Sequence, residues 1–225
     1  MATKPQTKHP VRKITAKQAT NSVLRRYTDL PTLLHIIEFH QLTLVSPSNW
    51  DDKNDRNFME AYARAKSLKT CVALCFCERS DTYHHWRVFS PGSAGVCVEF
   101  WKSPLISTAE KQGIIHGSME YLTIPALSSR MVDPDRLPFM KRSAFKDERE
   151  YRFIYGSTKE IAQTKALDIN FEMIKRVIVN PWSPQPLYDG IVKTIAKLTK
   201  KTVTVEQSRL TDHAVWREYA SRYNA

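Results

Sequence analysis

Glycine is scarce in this chain, which has only six among 225 residues. Loops that cradle phosphate groups need glycines close together, so this scarcity argues against a Gly-rich phosphate loop. Long hydrophobic runs are also missing, since no stretch approaches the roughly 20 apolar residues of a membrane span. The start of the chain has no apolar signal-peptide core. We therefore expect a cytoplasmic location and no membrane partner.

Paired cysteines are absent as well. Cys71, Cys75 and Cys77 lie in one apolar run, TCVALCFC, and Cys97 stands apart. In a strand the first three project to one face, where neighbours cannot easily bond each other. The usual C-x-x-C pairs of zinc sites do not occur. We expect reduced thiols and no metal site, with zinc on these cysteines as the weaker alternative.

Positive charge is in excess: 34 basic against 23 acidic residues give a formal net charge of +11. This balance favours an anionic partner such as nucleic acid. Residues 1–19 contain five basic residues and no acidic one, and Pro5 and Pro10 oppose regular structure there. We expect a flexible basic arm at 1–19, either a solvated tail or a phosphate-tracking segment, and a single α+β domain at 20–225.

The apolar pattern predicts strands and helices in irregular alternation. Predicted strands are VLRRY, LTLVS, TCVALCFC, GVCVEFW, EYRFIY, IKRVIVN and TVTVEQ, and one more lies within GIIHGSMEYL. Helices are predicted after Asp29, from Asn57, around Trp86, and within 128–148, 187–201 and 212–223. The uneven spacing favours a mixed α+β sheet over a sandwich or a doubly wound sheet.

Polar residues gather at the ends of three apolar runs. At Arg25-Arg26-Tyr27-Thr28, an arginine either grips a phosphate or is a surface base at a strand end. After Cys77 come His84, His85 and Trp86; the histidines point apart, so we expect one exposed and one packed, with the tryptophan in the core.

The third cluster opens the strand EYRFIY. Strict alternation would project Glu148, Glu150 and Arg152 to one face. Two carboxylates there raise the pKa of one of them unless a cation compensates. An isolated pattern of this kind indicates a solvated, charged sheet face, whereas a catalytic pair needs further support.

The order of these motifs resembles a widespread bacterial family of unknown function. The matching motifs are Tyr27, Ser46-Pro47, Trp50-Asp51-Asp52, Cys75-Phe76-Cys77-Glu78, Trp86, Gly95-Val96-Cys97-Val98-Glu99-Phe100 and Glu148-Arg149-Glu150-Tyr151-Arg152. The resemblance extends from Leu24 to about Trp216. Asp51 and Lys53 depart from the Asn-Asp-Pro turn that is more common in the family.

Shorter stretches resemble the DNA-targeting ADP-ribosyltransferase toxins. They are Tyr27-Thr28-Asp29 with the helix and strand that follow, Phe76-Cys77-Glu78-Arg79-Ser80, and Glu148-x-Glu150, which is similar to the E-x-E of ADP-ribosyltransferases more widely. The resemblance implies a split, mixed β-sheet with flanking helices around a cleft. It also implies NAD as a substrate, a macromolecular acceptor such as nucleic acid, a toxin or phage-defence role, and an antitoxin or defence-complex partner.

Particular residues acquire roles from this resemblance. Glu150 would stabilise the oxocarbenium-like sugar formed as nicotinamide leaves, and Glu148 would deprotonate the acceptor. Arg79 completes the implied catalytic set, and either it or Arg26 would hold the pyrophosphate. The implied NAD-binding residues are Arg26, Tyr27, Thr28, Ser46, Trp50, Asp52 and Trp86.

Two alternatives from other functional classes stay open. One is a non-catalytic nucleic-acid-binding protein that uses the basic arm and exposed aromatic residues. The other is a metal-dependent nuclease, because the carboxylates of Asp51, Asp52, Asp55 and Glu78 are the ligand type that Mg²⁺ prefers.

Overall fold

The computed structural model describes residues 22–129 and 131–223. The predicted arm at 1–19 lies outside the described residues. The described helices are α1 (Leu30–Phe39), α2 (Lys53–Ala65), α3 (Tyr83–Phe89), α4 (Lys102–Lys111), α5 (Ile124–Ser128), α6 (Gln185–Leu198) and α7 (Ala214–Ser221). The described strands are β1 (Val23–Asp29), β2 (Gln41–Val45), β3 (Thr70–Cys77), β4 (Gly95–Trp101), β5 (Ile115–Ser118), β6 (Glu120–Leu122), β7 (Met140–Arg142), β8 (Glu150–Ser157), β9 (Thr164–Asp168), β10 (Ile174–Val179) and β11 (Val205–Gln207).

One mixed sheet of nine strands organises the described residues. Its main order is β11-β10-β4-β1-β3-β2-β9, and β8 and β5 continue from β3. The pairing is antiparallel except between β10 and β11, and a separate parallel pair joins β6 to β7. The predicted α+β class with a mixed sheet and flanking helices is confirmed.

The sheet divides along one edge of β3. On that edge β1 registers with β3 only at Arg25 and Cys77, and β2 registers with it only at Val45 and Ala73. Helix α1 carries the chain from β1 to β2, so the two strands diverge between these points. Arg26 donates from Nη1 to the Cys75 carbonyl oxygen over 3.0 Å, which pairs a backbone acceptor at the division.

Helix α1 begins and packs as its sequence predicts. The Asp29 side chain accepts a hydrogen bond from the Thr32 amide, and a proline occupies the first turn. The buried residues Leu33, Ile36 and Ile37 form the apolar face of the helix. This face joins residues of α4 and α6 in the main core on one side of the sheet.

The other face of the sheet carries α2 and α3. Met59 and Tyr62 of α2 pack on Ala73 and Ile154, while Trp86 of α3 packs in a separate cluster near the end of β3. Because alternate residues of a strand face opposite sides, β3 presents its odd-numbered residues to these two helices. The cleft described below opens between α2 and α3.

Two predicted elements differ in the structure. GIIHGSMEYL contains two strands, β5 and β6, because β5 pairs with β8 whereas β6 pairs with β7. The stretch 128–148 forms 3₁₀ turns at Pro134–Phe139 and Ser143–Glu148, separated by β7, rather than α-helices after α5 ends at Ser128. Proline lacks the amide hydrogen of an α-helical bond, so Pro134 and Pro138 favour short turns.

In the described part of the chain, no helix is both long and apolar enough to cross a membrane.

Candidate functional site

A cleft of about 510 Å³ opens where the sheet divides. The ends of β1, β3 and β8 form its floor, and the segment that enters α2 forms one wall. The 3₁₀ turn before β8 and the end of α3 contribute the rest. The lining residues include Arg25, Arg26, Tyr27, Trp50, Asp52, Asp55, Cys75, Cys77, Phe89, Lys141, Phe145, Glu148, Glu150 and Arg152.

Arg152 is the centre of a buried charge cluster on this floor. Its Nη1 and Nη2 donate to the two carboxylate oxygens of Asp55 over 2.9 and 2.7 Å. Its Nε donates to Glu150 Oε1 over 2.7 Å, and Nη1 also reaches the Pro138 carbonyl at 2.9 Å. The Trp50 ring lies 4.6 Å from the guanidinium carbon. The planar guanidinium therefore fixes the separation of two carboxylates that belong to different elements.

Glu150 is ionised at the bottom of the cleft. Burial acts to raise the pKa of its carboxyl, but Arg152 and Lys141 outweigh burial and lower that pKa to about 2. Its Oε2 accepts a hydrogen bond from Lys141 Nζ at 3.1 Å. Its backbone amide donates to the Tyr121 hydroxyl over 2.8 Å, which ties the start of β8 to β6.

Glu148 approaches the same cation from a turn rather than from the strand. The expectation that it shares strand geometry with Glu150 is wrong, because Arg149 has a positive φ of 47° and β8 begins only at Glu150. The left-handed residue reverses the chain locally. Glu148 Oε2 still lies 2.5 Å from Lys141 Nζ. Burial raises the pKa of the Glu148 carboxyl, and Lys141 opposes this rise.

His85 anchors the turn that carries Glu148. Its Nε2 lies 3.1 Å from the Glu148 carbonyl oxygen and 3.0 Å from Cys77 Sγ, and its Nδ1 lies 2.5 Å from Thr82 Oγ1. Burial lowers the pKa of His85 and raises the pKa of Cys77 to about 11. Both groups are therefore neutral at pH 7, and they connect α3 to the turn without forming an ionised nucleophile pair.

Six of the ten residues implied by the sequence resemblance line the cleft together. They are Arg26, Tyr27, Trp50, Asp52, Glu148 and Glu150.

The other four lie elsewhere. Arg79 lines a neighbouring open depression with Tyr121 and Arg149. Ser46 caps a 3₁₀ turn, Thr28 lies towards the far end of β1, and Trp86 is buried with its indole N–H donating to Asp81.

Sequence reasoning missed Lys141 and Tyr121 as members of the site. Both belong to the three-residue strands β6 and β7, which are too short to show a hydrophobic period. It named Asp55 only as a metal ligand, whereas the structure pairs Asp55 with Arg152.

The carboxylates of the metal-dependent nuclease alternative have other partners. Asp52 accepts hydrogen bonds from the amides of Asn54 and Asp55 at the start of α2. Glu78 accepts a hydrogen bond from Lys102 Nζ over 2.6 Å. Across residues 22–129 and 131–223, no group of three or more His, Cys, Asp or Glu side chains is placed to hold a metal ion.

Comparison with known proteins found a likeness only among solved structures. No family model matches the chain, and no curated protein matches it. The chain is similar to Thermus sp. 2.9 DarT in complex with carba-NAD+, at 11% identity and a TM-score of 0.42, over 84% of this chain and 96% of that one.

The same protein was also solved with other ligands. For DarT in complex with NAD+, identity is 13% and the TM-score is 0.40, over 84% of this chain and 96% of that one. For DarT in complex with ADP-ribosylated ssDNA, identity is 11% and the TM-score is 0.41, over 84% and 94% of the two chains. Values this low carry no weight for function, so the proposal below rests on the cleft.

The charge cluster predicts a pH dependence of stability. The pKa of Glu150 is lowered from 4.5 to about 2, so its ionisation stabilises the fold above pH 4.5, and this contribution is lost as the pH falls towards 2. The raised pKa of Glu148 acts oppositely: its contribution is present below pH 4.5 and is lost as the pH rises through its raised folded pKa.

Urea unfolding between pH 5 and pH 2.5 measures this effect. We expect the free energy of unfolding to fall with pH in this range, and Glu150→Gln to reduce that fall. Identical pH dependences for the two proteins would contradict the assignment.

Proposed function

We propose that this chain is an ADP-ribosyltransferase that uses NAD, with Glu150 as its catalytic carboxylate. One observation carries the proposal: Glu150 is an ionised, buried carboxylate on the floor of a cleft of about 510 Å³. That volume is within the range of small-molecule sites. Loss of nicotinamide leaves positive charge on the ribose, and a fixed negative charge stabilises such a transition state without reorganisation.

The local charge balance supports this role. Asp55, Glu148 and Glu150 supply three negative charges, and the cations that pair with them, Lys141 and Arg152, supply two positive charges. This group therefore has a net charge of −1. A sugar cation forming above it would meet an attractive field, strengthened by the exclusion of water.

Arg26 is the residue that we assign to the pyrophosphate. It lines the cleft, and its one hydrogen bond within the described chain goes to the Cys75 carbonyl oxygen. Burial lowers the pKa of Arg26, yet a guanidinium remains charged at neutral pH. Its other N–H groups suit phosphate oxygens, which guanidinium binds in pairs. Phe89 and Phe145 line the same cleft and offer faces for stacking a nicotinamide or adenine ring.

Two unsatisfied polar atoms also favour a ligand in this cleft. Among the described residues, the buried side-chain atoms without a hydrogen-bond partner are the Tyr27 hydroxyl and Asp52 Oδ2. Both residues line the cleft. Buried polar atoms are usually paired, so we assign them to bound water or substrate in the working enzyme.

Glu148 is assigned as the general base. Its raised pKa brings it closer to neutral pH, where a base exchanges protons most effectively. In the proposed reaction the bond between ribose C1′ and the nicotinamide nitrogen breaks, and its electron pair goes to the nicotinamide ring. A nucleophile of the acceptor bonds to C1′, and its proton passes to Glu148. The net charge of +11 favours nucleic acid as the acceptor class.

Labelled NAD+ tests the proposal directly. The protein would be incubated with labelled NAD+ and with DNA, RNA or cell lysate, and we expect label in one macromolecular fraction. Carba-NAD+, which lacks the ribose ring oxygen that stabilises the sugar cation, should bind and compete without transferring label. Absence of both NAD+ binding and label transfer would contradict the proposal.

A nucleic-acid-binding module is the second candidate function. The observation that favours it is the exposed aromatic surface of the C-terminal segment, with Trp216 on α7 and Tyr223 after it, together with the net positive charge. Exposed aromatic side chains can stack on the bases of single strands.

Deleting residues 1–19 separates the two functions. If this segment tracks phosphates, its removal should weaken nucleic-acid binding and flatten the salt dependence by about 0.9 per phosphate contact. Transfer of label to saturating acceptor should persist in the truncated enzyme. A binding module would lose most of its function on truncation and would tolerate Glu150→Gln. Unchanged affinity and salt slope would make the arm a solubility tail.

A further inference from the structure

A lysine from the small parallel sheet lies among the carboxylates of the cleft. Lys141 is central in β7 and registers with Tyr121 of β6. Its Nζ lies 2.5 Å from Glu148 Oε2, 3.1 Å from Glu150 Oε2 and 3.7 Å from Asp55 Oδ2. Its side chain is only 10% exposed. The segment that forms β6 and β7 thus inserts one cation between three acids.

We propose that Lys141 is a positioning residue, which holds Glu148 and Glu150 together as a charged pair facing the cleft. This inference rests on the proposed function, because it names the group that keeps both assigned catalytic carboxylates in place. In the described part of the chain, Lys141 is the cation within salt-bridge distance of Glu148. It also occupies the Glu150 oxygen that Arg152 does not contact.

Arg152 cannot replace Lys141 in this role. Its hydrogen bonds go to Asp55, Glu150 and the Pro138 carbonyl, with a longer contact to the Met59 sulfur. The pairing between Glu148 and Glu150 therefore passes through Lys141 Nζ alone among these contacts. A neutral side chain at 141 would leave two neighbouring carboxylates in mutual repulsion at a buried site.

The groups around Glu148 set the direction of the expected change. It faces Lys141 from β7, Glu150 from β8 and Asp55 from α2. Burial and the two acids raise the pKa of Glu148, and Lys141 lowers it. Loss of the lysine charge should therefore raise this pKa further, and more acid would remain protonated near neutral pH.

Three variants test the inference: Lys141→Met removes the charge, Lys141→Arg retains it, and Lys175→Met is the matched control. Lys175 is a partly exposed lysine that contacts a different buried acid, Glu99, at 3.4 Å. Thermal unfolding would first establish that each variant folds. Carbon-13 NMR would then follow the titration of the glutamate carboxyl groups, and label transfer from NAD+ would be measured against pH.

In Lys141→Met, we expect the Glu148 titration to move to higher pH by about one unit or more, since a close opposite charge typically shifts a pKa by that amount. The acidic limb of the rate profile should move in the same direction. Lys141→Arg should restore most of both positions, and Lys175→Met should change neither. A purely structural tether would lower stability without moving either titration.

Two failures are distinguishable. If the Glu148 titration in Lys141→Met matches that of the unmodified protein, the inference about Lys141 is overturned. If the unmodified protein neither binds NAD+ nor transfers label, the proposed function fails. The NMR titration still decides in that case whether Lys141 holds the carboxylates as a charged pair, because it needs no substrate.

Discussion

Replacing Glu150 by glutamine is expected to lower kcat for ADP-ribosyl transfer by about 10²- to 10³-fold, the usual effect of losing one preorganised electrostatic group. Glutamine has nearly the same shape, and its side-chain oxygen can still accept a hydrogen bond from Arg152 Nε. The negative charge facing the sugar is lost, however. We therefore expect NAD+ affinity to change much less than kcat, because Arg26 and the aromatic walls of the cleft remain. Isothermal titration calorimetry and initial rates would give the two quantities separately.

The matched control is Glu172→Gln, which makes the same substitution at an exposed position outside the cleft. It should leave kcat unchanged. Full activity in a folded Glu150→Gln protein would contradict the transferase mechanism. Equal losses of NAD+ affinity and of kcat/KM would instead assign Glu150 to substrate binding.

Much of the fold could be predicted because its main elements carry local signals. TCVALCFC and GVCVEFW are continuous apolar or β-branched runs, and both are central strands of the sheet. The capping aspartate, the proline and the apolar spacing of Leu33 and Ile37 predicted α1 correctly. The expectation of one exposed and one packed histidine is also confirmed, since His84 is exposed and His85 is buried.

The charge network of the site could not be predicted because it depends on contacts between distant segments. Asp55 and Arg152 are 97 residues apart in the chain, and no local pattern indicates that they pair. A charged strand face was the simpler interpretation of Glu150 and Arg152, yet both are buried. Burial depends on the proline-interrupted segment that folds over them, and that segment has no clear period. Tertiary placement therefore decides whether the E-x-E is a solvated surface or a site.

Replacing Arg152 by methionine is expected to lower the free energy of unfolding by about 3–5 kcal/mol, the usual effect of removing one partner from a buried ion pair. The arginine side chain is 1% exposed and contacts acids that are 3% and 5% exposed. Methionine would fill part of the volume but leave Asp55 and Glu150 with Lys141 as their shared cation. Urea unfolding at pH 7 measures the change. The difference from the unmodified protein should shrink at lower pH, where the stranded carboxylates become protonated.

Two further variants separate stranded charge from lost packing. Arg176→Met removes an arginine that contacts the buried Glu99 at 2.9 Å, but that side chain is 32% exposed and Glu99 retains Arg25. We expect a smaller loss there, of about 1 kcal/mol. The double variant Arg152→Met/Asp55→Leu should be more stable than Arg152→Met, because it removes one of the stranded carboxylates. If Arg152→Met loses less than about 1 kcal/mol, or if the double variant is the less stable, the buried ion pairs are not what holds this floor together.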